Sequence, residues 1–137
     1  MKSYRLLKET DGFTLTELLV VIVIIGILAA LTIPKFLNVT TSAKMTEAKV
    51  MLKQLYNLQR AYYLENDTYG PSLEAINFEQ EKLKTDGGNA RYKLAIAKAT
   101  DTEFLASATA VVDFDKDGSY NIWSIDQDGN LKQIEAD

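Results

Sequence analysis

The sequence predicts an α+β fold: a long N-terminal helix, membrane-spanning in its first half, laid on a small antiparallel β-meander. Three observations carry this. The run from Phe13 to Ile33 is apolar apart from Glu17. Helical spacing then continues from Lys35 to Glu65, and the last third alternates in short segments separated by turn residues.

Residues 1–12 form a short polar leader that carries Lys2, Arg5 and Lys8 against Glu9 and Asp11. The next 21 residues, Phe13 to Ile33, make about 31 Å of helix, which matches a bilayer core of about 30 Å. The basic leader would stay cytoplasmic. Two plainer readings compete, a simple single-pass anchor and a cleaved secretory signal with Leu28-Ala29-Ala30 at its end. The run continues past Ala30 through Leu31 and Ile33. A carboxylate within such a run costs roughly 2.5–3.5 kcal/mol at a helix centre, so Glu17 demands a partner. Gly26 permits close helix contact. Pro34 either ends the helix at the membrane surface or weakens it locally.

Beyond Pro34, Ala43, Ala48, Leu52, Leu55, Leu58 and Tyr62 recur at three- and four-residue steps. Lys44, Glu47, Lys49, Lys53 and Arg60 mark the wet face, and Glu47 faces Met51 rather than a base. Asn66-Asp67-Thr68-Tyr69-Gly70-Pro71 stops the helix. Tyr56, Tyr62, Tyr63 and Tyr69 cluster at its end and suit the rim between helix and sheet. Ser72 to Ile76 predicts a short helical turn, and Gly87-Gly88 a flexible joint. Strands follow over Ala90 to Lys98, Phe104 to Phe114, Tyr120 to Asp126 and Leu131 to Glu135, with Asp117-Gly118 and Asp128-Gly129 as hairpin turns. The expected organisation is a leader over 1–12, a membrane and assembly helix over 13–35, and a globular domain over 36–137.

Asp113-Phe114-Asp115-Lys116-Asp117-Gly118 matches the start of a D-x-D-x-D-G calcium loop. Asp113, Asp115 and Asp117 can converge on a hard cation. Asn121 stands at the ninth position and Ser119 at the seventh, but the twelfth, where a bidentate acid belongs, is Ser124. A solvated Asp-Gly hairpin is the competing reading.

The chain has neither cysteine nor histidine, which excludes thiol chemistry, the usual zinc sites and histidine acid–base catalysis. There is no nucleophile–base pair and no phosphate loop, so an enzyme is not expected. Net charge is −4, and the leader's +1 leaves −5 on the remainder. That balance gives nucleic-acid binding no bulk electrostatic support.

The junction Gly12-Phe13-Thr14-Leu15-Thr16-Glu17 before an apolar helix closely resembles the N-terminus of type IV pilins and of the pseudopilins of type II secretion. The resemblance is specific over about residues 9–40. It implies a filament subunit with the pilin architecture. A prepilin peptidase would cut between Gly12 and Phe13 and methylate Phe13. A cytoplasmic ATPase and an inner-membrane platform would then assemble the chain into a homopolymer, with Glu17, Gly26 and Pro34 serving assembly. The chain would wait in the inner membrane with its globular domain in the periplasm, before entering a periplasmic pseudopilus or an extracellular pilus. The missing C-terminal disulfide departs from many pilins and is usual in major pseudopilins, which also place calcium in a C-terminal loop. A non-polymerising anchored module and a low-copy minor pilin or adhesin are the alternatives.

Overall fold

The computed structural model describes residues 12–136, with the side chains of 33–39 left aside. The leader charges therefore lie outside the described residues. Among the described residues, helix α1 runs Leu15–Asn66 and a 3₁₀ turn spans Lys84–Asp86. Strands β1 (Tyr92–Ala99), β2 (Phe104–Ala110), β3 (Ile122–Asp126) and β4 (Leu131–Glu135) follow. The chain divides into two compact units between Asn38 and Val39.

In the first unit, Leu15–Thr32 is long and apolar enough to cross a membrane, and none of it is buried. Large side chains are open all round, from Leu18, Leu19 and Val21 to Ile27, Leu28 and Leu31. Such a helix has no core of its own and must be covered by lipid or by other apolar helices.

In the second unit, the stripe Ala48, Leu52, Leu55 and Gln59 is buried, with Leu58 and Tyr62 packed beside it. The four-step and three-step spacing keeps these side chains on one helix face. Trimming Leu52 or Leu55 to alanine would cost roughly 2–5 kcal/mol. The sheet is an antiparallel meander in the order β1-β2-β3-β4. Its inner face is Tyr92 and Leu94 from β1, Phe104, Ala106, Ala108 and Ala110 from β2, and Ile125 from β3. Register pairs Ala106 with Ile125 and Ala108 with Trp123, so the expected alternation holds across three strands.

Four local expectations change. β2 stops at Ala110 rather than Phe114, because the chain leaves the ladder after Val111 N–H donates to Arg91 O. Asp117-Gly118 is consequently part of an eleven-residue connection over 111–121, not a two-residue hairpin. Ser72 to Ile76 forms turns without a regular helix, held by Phe78 N–H to Leu73 O and by Ala75 N–H to Ser72 Oγ. Gly87-Gly88 is not a loose joint. Gly87 closes the 3₁₀ turn at φ +84, Gly88 N–H donates to Leu83 O, and a Cβ at Gly88 would lie 1.9 Å from Lys82 O.

Candidate functional site: the helix start and the acidic loop

Phe13 lies open, and α1 starts just after Thr14. Thr14 and Glu17 bond reciprocally. Glu17 N–H donates to Thr14 Oγ1 at 3.2 Å, while Thr14 N–H and Oγ1–H donate to Glu17 Oε2 at 2.9 and 2.8 Å. This is a capping box, which satisfies two backbone donors that a helix start leaves orphaned. Its sequence signature is threonine three residues before glutamate, a pattern the apolar run after it does not require. The capping uses only Oε2, so Oε1 keeps its accepting capacity. Gly26 faces open space. Helix α1 passes through Pro34, whose side chain lies outside the described residues.

The acidic loop is organised by its own carboxylates. Asp113 Oδ1 accepts from Lys116 N–H at 2.6 Å and Oδ2 from Gly118 N–H at 2.8 Å. Asp115 Oδ1 accepts from Asp117 N–H, and Asp117 Oδ1 from Ser119 N–H. Gly118 adopts φ +94 and Lys116 φ +66, backbone conformations that the tight turn requires. One oxygen from each of Asp113, Asp115 and Asp117 lies within 4.8 Å of the others. Three hard oxygen donors so placed fit a calcium-type cation.

Asn121 does not join them. It is fully buried, its Oδ1 accepts from Tyr92 Oη–H at 2.8 Å, and its Nδ2 donates to Glu135 O. Its amide is committed to the core because Tyr92, inside the sheet, brings a hydroxyl that must be satisfied. Ser124 at the twelfth position is buried as well. Asp126 is a turn staple, its Oδ1 accepting from Asp128 and Asn130 N–H.

The Gly118 N–H bond holds the Asp113 carboxyl below its ordinary 3.8, helped by other loop amides. A depressed carboxylate stabilises the folded state above its unfolded value and loses that contribution as pH falls through its folded value. The Asp113 carboxyl carbon, followed by NMR, should therefore titrate below 3.8. The Gly118 amide resonance should move with it, and Asp113→Asn should remove that transition.

Sequence reasoning also missed three polar clamps. Buried Gln59 accepts Gly70 N–H at Oε1 and donates from Nε2 to Gly70 O, both at 2.8 Å. Gln80 does the same along the open edge of β1, accepting Leu94 N–H and donating to Tyr92 O. Glu47 takes Arg91 N–H at 2.7 Å and its guanidinium at 2.9 Å, so its base comes from beside β1 rather than from α1. The signal for Gln59 was a polar residue inside the apolar stripe, four after Leu55 and three before Tyr62. The tyrosines form the expected rim: Tyr69 stacks between Tyr63 and Phe104, with centroids 4.7 and 5.0 Å away.

The fold and the helix start together define a chain with an exposed membrane-length helix joined to a small α+β domain. The model of the prokaryotic N-terminal methylation motif matches residues 8–33. The model of the type IV minor pilin ComP, DNA uptake sequence receptor, matches residues 34–120. The chain belongs to the type IV pilin family. It is 38% identical over 97 residues to the type IV major pilin protein PilA of Myxococcus xanthus, covering 71% of this chain and 42% of that protein. It is 35% identical over 86 residues to the type II secretion system core protein G of Pseudomonas aeruginosa, covering 63% and 58%. It is 33% identical over 93 residues to the type IV wide pilus major component PilA4 of Thermus thermophilus, covering 68% and 70%. The chain thus spans about half the length of the first two of these relatives. All three names are those of pilus or secretion-system components.

Proposed function

We propose that this protein is a structural subunit of a type IV filament, a pilus or a type II secretion pseudopilus, and not an enzyme. The observation that carries the reading is the wholly exposed apolar helix with Glu17 at its start, in a chain of the pilin family. An apolar helix leaves lipid only for surroundings equally apolar, and a bundle of its own copies provides them. In this reading a prepilin peptidase cuts between Gly12 and Phe13 and methylates the new amine. An inner-membrane platform and its cytoplasmic ATPase then build the homopolymer. The subunit waits in the inner membrane with residues 36–137 in the periplasm. Intact-mass spectrometry of fibres and membranes should show loss of residues 1–12 and a methylated Phe13. Fibres built of chains that still carry Met1 would sink the processing step, and a chain that never leaves the membrane pool would favour the anchored module.

The acidic loop in this reading takes calcium through Asp113, Asp115 and Asp117 and stiffens the β2–β3 connection. A ligand that binds only the folded state raises stability by RT ln(1 + [L]/Kd), about 2.7 kcal/mol at a hundredfold excess over Kd. The detergent-solubilised chain should melt higher in millimolar calcium than in chelator, and Asp115→Asn with Asp117→Asn should abolish the difference. Identical melting in both buffers would leave the loop as a self-capped turn.

A further inference from the structure

Two patches at opposite ends of the sheet carry opposite charge. The first is a cationic ridge. Lys49 Nζ lies 4.4 Å above the Trp123 ring of β3. Lys53 Nζ donates to Gly129 O at 3.0 Å in the β3–β4 turn and sits 5.7 Å from the Tyr56 ring, which Arg60 also approaches at 5.9 Å. These contacts pin the three cations in place. No carboxylate lies within ion-pair distance of any of them among the described residues. The nearby turn acids are Asp126, occupied by Asn130 and Asp128, and Asp128, which shares a recess with Arg60.

The second patch is an open cleft of about 540 Å³ at the β1 end. Ala43, Val50 and Met51 give it an apolar side. Its charged groups are Glu47, Glu79, Glu81 and Arg91. Arg91 is neutralised by Glu47, so among the described residues the exposed Glu79 and Glu81 have no ion-pair partner. An apolar wall beneath two acids suits the stem and head of a long basic side chain.

We propose that the ridge Lys49/Lys53/Arg60 of one subunit seats in the cleft of a second copy, against Glu79 and Glu81. The order β1-β2-β3-β4 puts the ridge over the β3–β4 end and the cleft by β1, so one surface cannot meet itself. A contact between two different patches is heterologous and propagates where it does not close, as a helical fibre requires. The cations are already held against rings and the Gly129 carbonyl, so little ordering is lost on their side on docking, and the charges fix which neighbour fits. The inference rests on the filament reading and gives it a second contact besides the apolar helix.

The test is a charge swap in the full-length protein, read as fibre yield at constant membrane pool. Glu79→Lys with Glu81→Lys touches only exposed side chains and should cut fibre yield about tenfold or more. Lys49→Glu with Lys53→Glu should do the same, and the four together should return yield to within a few-fold of the unaltered chain. Circular dichroism and thermal melting check that each variant folds, since Lys49 lies on the Trp123 ring and its replacement alters that fluorescence directly. Unaltered chain without fibres overturns the filament reading itself. Fibres from the unaltered chain with no effect of either reversal, or two losses without rescue, overturn the pairing alone. Duplex DNA held by the unaltered chain and lost in the lysine variant, with fibre yield intact, overturns it too and assigns the ridge to nucleic acid.

Discussion

Glu17→Gln is expected to abolish fibre formation while leaving membrane insertion and leader removal intact. The capping box makes this a clean test. Glutamine fills the N3 position of a capping box as glutamate does, so the bond to Thr14 N–H survives and the helix still begins at Leu15. Only the charge disappears. Removal of the leader would turn the Phe13 nitrogen into an amine of pKa about 7.7–8.0, a cation at neutral pH that methylation preserves. Among packed apolar helices, that cation and the Glu17 carboxylate are each costly alone, and losing one partner of a buried pair costs roughly 3–5 kcal/mol. Glu17 Oε2 is spent on Thr14, and Oε1 is left to meet a cation from a neighbour. Pairing between subunits would also fix the stagger of one helix against the next. Glu17→Ala removes both roles and should in addition fray the first turn, by about 1 kcal/mol. Fibres at ordinary yield from correctly cleaved Glu17→Gln would refute the inter-subunit role, because an ion pair within one chain makes no demand on polymerisation.

The second large effect is on stability. Gln59→Leu should destabilise the globular unit by about 2–6 kcal/mol, since it strands both Gly70 N–H and Gly70 O in a buried place, at roughly 1–3 kcal/mol each. Leucine fills similar volume, so the loss reports the two bonds rather than a cavity. A larger residue at Gly70 would act from the other side, as a Cβ there would lie 2.3 Å from Ile76 Cγ2. Gln59→Glu distinguishes polarity from packing. At neutral pH its carboxylate would face Gly70 O with no proton to give, inside a core that penalises charge. Acidification would supply the proton and restore the donor, so this variant should recover stability as pH falls. Denaturant unfolding followed by the fluorescence of Trp123, the chain's single tryptophan, measures all three. Gln59→Leu with an unchanged midpoint would show that the clamp contributes nothing.

The elements legible in the sequence were those whose signal is local. Phe13 to Ile33 announces a membrane-length helix because bilayer thickness sets the length and Glu17 is a lone charge in it. The helical stripe Ala48, Leu52, Leu55 was readable from periodicity, and so was the alternation of Tyr92 and Leu94 or Ala106 and Ala108. The misread stretches share another property: specific hydrogen bonds or close backbone packing decide their course there. Asp113 holds Lys116 and Gly118 N–H and folds a long connection where two turn residues suggested a tight hairpin. Leu83 and Lys82 crowd Gly88 and make a rigid corner of two glycines that composition alone marked as loose. Asn121 sat at a plausible ligand spacing, yet Tyr92, 29 residues away, claims its oxygen.

The sequence by itself determined that the chain carries a membrane-length helix, where it starts, which face of its second half is apolar, and that four strands follow as a meander. Hydrophobic periodicity and chain stiffness act over a few residues, so neighbours in sequence suffice to read them. Only the tertiary structure decided that Gln59 clamps Gly70, that Gln80 covers the β1 edge, that Glu47 belongs to Arg91, and that Lys49 stands over Trp123 and Lys53 reaches Gly129 at one end of the sheet while Glu79 and Glu81 wait at the other. The physical reason is that a buried polar group or a pinned charge is defined by its partner, and the fold brings that partner from 11 to 76 residues away.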